Sequence, residues 1–179
     1  MKNTLLFQTL IWIQLCTCWS QTISPFIVVD QFGYLPNSNK VAVVRDPQVG
    51  YDAAQNFTPG TTLDLKDATT NQTVFSAAPR VWNAGNTDAV SGDKAWWFDF
   101  SAFRVPGSYY VLDPSQNARS ATFLISDTVY QNVLKAAVRT FFYQRAGFAK
   151  TTPFAEAGWT DGASHLGPLQ DKNCRLYSA

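Results

Sequence analysis

Asp161 and Asp171, with His165 and Cys174 nearby, are the residues of this chain whose types and closeness in sequence could carry chemistry. Two carboxylates could divide the work of a general acid and a general base, and a histidine with a thiolate could hold zinc. The pattern supports neither assignment. Asp161 precedes Gly162, a pair that reads as a turn. A tetrahedral zinc site needs four nitrogen or sulfur donors, and this stretch offers one His and one Cys. Cys174 is better read as a small buried residue and His165 as a hydrogen-bonded loop residue. No catalytic, cofactor-binding or metal-binding residue is therefore assigned.

The tryptophans offer a second chemistry. Trp82, Trp96, Trp97 and Trp159 could form a stacking platform for a sugar ring. In a run such as Trp96-Trp97-Phe98-Asp99-Phe100, however, alternation sends Trp96, Phe98 and Phe100 into a core and leaves Trp97 with Asp99 on the outside. Trp97 then reads as an interface residue. Asn56-Phe57-Thr58 and Asn71-Gln72-Thr73 fit the glycosylation pattern of secreted chains.

The elements that must position these residues are of two kinds. Over 126–147 the apolar pattern is helical: Val129, Val133, Leu134, Ala137, Val138, Phe141 and Phe142 recur at three- and four-residue spacing, opposite Gln131, Asn132, Lys135 and Arg139. Ser126 or Asp127 is suited to cap the first turn and Gly147 to close the last. The predicted helix is about 28 Å long, with one buried and one wet face, and suits a helical domain of its own. Arg145, at its end, is suited to pair with a carboxylate or a helix carbonyl. After Gly147 the chain is rich in Gly, Pro and Asp without a helical period, and it should pack on a surface beyond the chain as given.

Before the helix the period is two. Short runs at 26–30, 40–45, 61–66, 73–77, 94–100, 108–112 and 121–125 are rich in Val, Ile, Phe, Tyr and Trp, and turn clusters separate them. Such a series predicts an all-β, immunoglobulin-like sandwich lacking the Cys-Trp-Cys framework of antibody domains. No Gly- or Ser-rich linker follows residue 125, so the last strand should feed almost directly into the helix and the two parts should be packed together.

The 179 residues are 46% hydrophobic and 15% aromatic, with a net charge of +1, which leaves no field for a polyanion and so excludes nucleic acid as a partner. Residues 1–20 read as a signal peptide: Lys2 in a short polar start, an apolar block from Leu5 to Trp19 too short to span a bilayer, and Ser20 for cleavage. The product is expected to be secreted and without a membrane anchor. A lipid anchor at Cys16 or Cys18 is disfavoured, because Leu15 and Thr17 are poor matches to the small residue needed before such a cysteine. Loss of Cys16 and Cys18 with the signal leaves Cys174 alone and no internal disulfide.

Three motifs then stand in order: Val29-Asp30-Gln31-Phe32-Gly33-Tyr34-Leu35-Pro36 with Lys40-Val41-Ala42-Val43, then Gly107-Ser108-Tyr109-Tyr110-Val111, then Phe141-Phe142-Tyr143-Gln144-Arg145-Ala146-Gly147. Together they resemble glycoside hydrolase family 9, the cellulases and endoglucanases, in the subgroup with an N-terminal immunoglobulin-like domain. After the signal at 1–20, the resemblance implies a sandwich over 21–126 and, over 127–179, the first helix of an (α/α)6 barrel that is here truncated. It further implies an inverting β-1,4-glucan hydrolase acting on cellulose or a related β-glucan through that barrel. The sandwich's part would be to stabilise the barrel, with Trp97, Leu134, Phe141, Phe142 and Arg145 at the domain interface. The family's Asp-Ala-Gly-Asp base motif and its glutamate acid would both lie beyond Ala179. Neither Asp161 nor Asp171 stands in such a motif, so the chain alone is expected to be inactive. Calcium, where used, would belong to the barrel. Family members with a structural zinc imply ligands at positions matching Ala146 and Cys174-Arg175, and two of those ligands are missing. A carbohydrate-binding module or an extracellular interaction domain is the alternative reading.

Overall fold

The computed structural model describes residues 21–167; the expected signal peptide with Cys16 and Cys18, and also Asp171 and Cys174, lie outside the described residues. Among the described residues ten strands precede a single α-helix: β1 Thr22–Ile23, β2 Ile27–Val28, β3 Val41–Pro47, β4 Leu63–Asp67, β5 Thr73–Ala77, β6 Arg80–Val81, β7 Asp93–Asp99, β8 Gly107–Asp113, β9 Ala118–Arg119, β10 Phe123–Ile125 and α1 Gln131–Gln144.

They form two sheets. One runs β1-β9-β8-β4-β5, with β10 also paired to β8; the other runs β2-β3-β7-β6. Alternation decides what faces inward. Leu63 and Leu65 are fully buried, whereas Asp64 and Lys66, which alternate with them, reach solvent and bond the neighbouring Ser76 and Thr73 hydroxyls. On β7 Phe98 is buried and Trp97 is exposed. The two inner faces meet in an aromatic layer in which Phe100 lies 5.2 Å from Tyr34, 5.6 Å from Phe123 and 5.8 Å from Phe98 between ring centres. Val44, Val111 and Ile125 fill the space around it. This is the immunoglobulin-like sandwich expected from the pattern. Trp96 points inward as predicted but stays only partly buried against the core.

Polar groups inside are matched to partners. Asp113 is fully buried and accepts N–H bonds from Gly60, Ser115 and Gln116, which fixes the turn between β8 and β9. Buried Lys40 donates to the carbonyls of Pro36 and Ser38 at 2.7 and 2.9 Å, closing the loop after the Gly33-Tyr34 segment. At Gly33 (φ +98°) a Cβ would stand 2.2 Å from the Leu124 carbonyl oxygen, so this position requires glycine where β10 and the helix leave the sandwich.

Candidate functional site

The helix begins later than the sequence pattern predicts. Residues 126–130 form a turn in which the Ser126 hydroxyl accepts the Thr128 N–H and the Ser126 carbonyl accepts that of Val129. Tyr130, not Ser126 or Asp127, occupies the N-cap position, with no side-chain cap. The cause is a competing anchor. The Tyr130 hydroxyl donates to the Gly33 carbonyl at 3.0 Å and lies 3.3 Å from Asp30 Oδ2, and its ring meets Phe32 edge-on. The chain before α1 is thus held along the sandwich, and burial with the nearby Asp30 raises the phenol's pKa. The far end is also shorter. Arg145 is extended, and Gly147 (φ +88°) donates its N–H to the Ser164 carbonyl instead of closing the helix.

The buried face expected of α1 is not buried: Leu134, Val138 and Phe141 are 65%, 59% and 72% exposed, and no residue of the helix is buried. The reason lies in where the following loop packs. Residues 148–161 cover the flank of Arg139 and Tyr143. Arg139 pairs with Glu156, the Tyr143 hydroxyl accepts the Glu156 N–H at 3.1 Å, and the Tyr143 ring lies 5.6 Å from Trp159. Of the side expected to be wet only Arg139 is partly covered, while Gln131, Asn132 and Lys135 stay exposed, and the loop expected to need an outside surface finds part of one on α1. Among the described residues Arg145 finds neither a carboxylate nor a carbonyl for its guanidinium, which lies 5.0 Å from the centre of the Phe148 ring; Phe142 is half-buried against Phe148 and Tyr143.

Asp161 lies in a two-stranded bridge with Lys150, not in a turn. Their backbones exchange bonds of 2.8 and 3.0 Å, and Asp161 Oδ2 lies 3.5 Å from the largely buried Lys150 Nζ. The carboxylate faces that ammonium at the limit of hydrogen-bond distance, and its side chain remains 70% exposed. His165 is exposed with a left-handed backbone (φ +59°). Among the described residues no group of three His, Cys, Asp or Glu is placed to hold a metal ion.

The four tryptophans separate. Trp96 faces the core, and Trp159 belongs to the loop on α1. Trp82 and Trp97 share a groove on the outer face of the four-stranded sheet with Val28, Val43, Arg45, Asp88, Ser91, Asp93 and Ala95. Arg45 is held there by Asp93 through Nε (2.9 Å) and Nη2 (2.7 Å), and by Asp52 at 2.8 Å. The bonds it donates to Asp93, against the opposing effect of burial and with help from Asp52, push its pKa further up. Of the predicted interface residues, Leu134, Phe141, Phe142 and Arg145 therefore share the helix and its end, and Trp97 stands apart in a groove that no helix residue lines. The alternation of β7 revealed Trp97. Its neighbour Trp82 follows a two-residue strand too short to carry a period.

The cellulase N-terminal Ig-like domain family matches residues 23–118. A xyloglucan-specific endo-β-1,4-glucanase of Bacteroides ovatus is 32% identical over 139 residues, which cover 78% of this chain and 21% of that protein. A cellulose 1,4-β-cellobiosidase of Acetivibrio thermocellus is 31% identical over 153 residues, 80% of this chain and 15% of that protein. The chain thus spans about a fifth or less of the length of these relatives. Among solved structures, a family 9 glycoside hydrolase of Bacteroides ovatus superposes with a TM-score of 0.59 at 29% identity, over 78% of this chain and 22% of the other. A thermostable endoglucanase of Alicyclobacillus acidocaldarius superposes with a TM-score of 0.57 at 25% identity, over 82% and 22%.

Proposed function

Because the chain belongs to the cellulase N-terminal Ig-like domain family of glycoside hydrolase family 9, we propose that it forms the N-terminal part of a secreted enzyme hydrolysing β-1,4-glucan. In that enzyme the sandwich stabilises an all-α catalytic barrel that α1 opens. The observation that carries this reading is the exposed stripe of Leu134, Val138 and Phe141 on a helix anchored to the sandwich through Tyr130. Apolar surface of this kind is what a barrel helix offers to its neighbours. The extent of the matches to glucanases, reaching beyond residues 23–118 to about four-fifths of the chain, supports the same reading.

Residues 21–167 contribute structure, not reacting groups. Inversion at an anomeric carbon needs two carboxylates about 6.5–9.5 Å apart with a water between one of them and the sugar. We infer that the base and the acid come from elsewhere in the enzyme and that the chain alone is inactive on β-glucan; the pairing of Glu156 with Arg139 and the placement of Asp161 beside Lys150 support this reading. We place the domain contact on Leu134 and Phe141, with Phe142 and Arg145 at the end of the stripe; Trp97 is left out of it because its groove is separate. Deleting residues 21–126 from the whole enzyme is expected to lower its melting temperature and its yield. A truncated enzyme that melts and hydrolyses cellulose like the complete one would refute the stabilising role.

A further inference from the structure

The outer face of the four-stranded sheet carries a groove of about 510 Å³ whose shape follows from strand register. Asp93, Ala95 and Trp97 project to the same side of β7. Arg80 pairs with Trp97, and Trp82 donates its backbone N–H to the Ala95 carbonyl, so Trp82 stands diagonally across from Trp97 on that side. On the other flank Val43 pairs with Trp97 and Arg45 with Ala95, and Val28 pairs with Val43. Ala95, with only a methyl group, lies among these larger neighbours and leaves the floor low. The result is a trough with two indoles on one wall and Arg45, Asp88 and Asp93 on the other.

The charges in it are already matched. Arg45 is fixed by Asp93 and Asp52, and Asp88 Oδ1 accepts the N–H groups of Val90 and Ser91 at 3.0 and 2.8 Å. An ionic ligand would have to disrupt these pairs. The centre of a protein–protein contact is ordinarily poor in charge, so a charged wall suits a protein neighbour badly. A pyranose fits both walls: its C–H face stacks on an indole, and its hydroxyls bond carboxylate and guanidinium groups held in place beforehand.

We propose that this groove is a binding subsite for a neutral pyranose chain, with Trp97 and Trp82 as the stacking wall and Arg45, Asp93 and Asp88 as the hydroxyl partners. The groove alone specifies a neutral sugar; the choice of a β-1,4-glucan as that sugar rests on the function proposed above. The test is to titrate the full chain with cellohexaose and with maltohexaose, following tryptophan fluorescence and calorimetric heat. Cellohexaose is expected to bind with a Kd on the order of 1 mM or tighter, and Trp97→Ala and Trp82→Ala to weaken it by about tenfold each. Trp97→Phe, which keeps a ring, should retain most of the affinity, and an unchanged melting temperature in each variant separates lost stacking from lost folding. Binding of maltohexaose in preference to cellohexaose would uphold the sugar site while counting against the β-glucan reading. Absence of saturable binding by either sugar, or equal affinity in Trp97→Ala, overturns the proposal. So does a sugar-blind chain whose self-association disappears in Trp97→Ala, since the groove would then serve a protein neighbour.

Discussion

At the scale of single residues, Tyr34 joins the core to the joint with the helix. Its hydroxyl donates to the Val41 carbonyl at 2.9 Å and accepts the Asp30 N–H at 3.0 Å, while its ring packs edge-on against Phe100 and Phe123. Burial pushes its pKa up to about 12; the bond from Asp30 opposes this, and the charges of Asp30 and Tyr130 add to it. In the unfolded chain a tyrosine titrates near 10, so between pH 10 and 12 the native state holds the extra proton and stability falls as pH rises. The contribution is intact below pH 10 and is lost as pH approaches 12, about 2–3 kcal/mol for a shift of this size. Tyr34→Phe should remove that alkaline loss. At neutral pH it should cost about 1–2 kcal/mol through the two missing hydrogen bonds. Urea denaturation of both proteins at neutral and alkaline pH measures the difference, and equal dependence of stability on pH in the two would show that Tyr34 does not titrate in this way.

At the scale of elements, the strands of five or more residues were legible in two ways: by alternation, as in Leu63-Asp64-Leu65-Lys66, and by a continuous β-forming run, as in β8, which is buried on both faces from Tyr109 to Asp113. The two-residue strands β1, β6 and β9 were not, since two residues cannot display a period of two. The helix was legible in type and misjudged in detail: Ser126 is a good capping residue, but its hydroxyl serves the turn that lets Tyr130 reach Gly33. That anchor joins residues 97 apart, beyond any local pattern. The Trp82–Trp97 groove depends in the same way on Arg45 reaching Asp93 across 48 positions. The apolar periodicity of α1 marked a face made for burial without naming its partner. In the chain alone that stripe is exposed and should drive self-association. Leu134→Gln with Phe141→Gln is expected to reduce it at little cost in stability, because neither side chain is buried. Light scattering of the two proteins at equal concentration checks this; a chain that is already monomeric without the substitutions contradicts it.

At the scale of the whole molecule, cohesion is unevenly distributed. Every residue of the main apolar core lies between Ile27 and Ile125. The helix and its loop are joined to that unit by the Tyr130 hydroxyl, the Phe32–Tyr130 ring contact and Val129 beside Gly33. Such a division predicts one cooperative sandwich with a weakly coupled appendage. Removing everything after Ser126 deletes the shared bond of the Tyr130 hydroxyl to Gly33 and Asp30 and a small apolar contact, worth about 1–2 kcal/mol together. For a domain of this size that corresponds to a fall in melting temperature of about 5–15 °C, with the sharpness of the transition retained. The shortened chain should also stay in solution better, since the stripe of α1 leaves with the deletion. Calorimetry on the two chains distinguishes the outcomes. A single sharp transition in the shortened chain identifies the sandwich as the folding unit onto which α1 is built. Loss of cooperative melting would mean instead that the helix is part of the core's own stability, and that the Tyr130 anchor transmits far more than its contacts suggest.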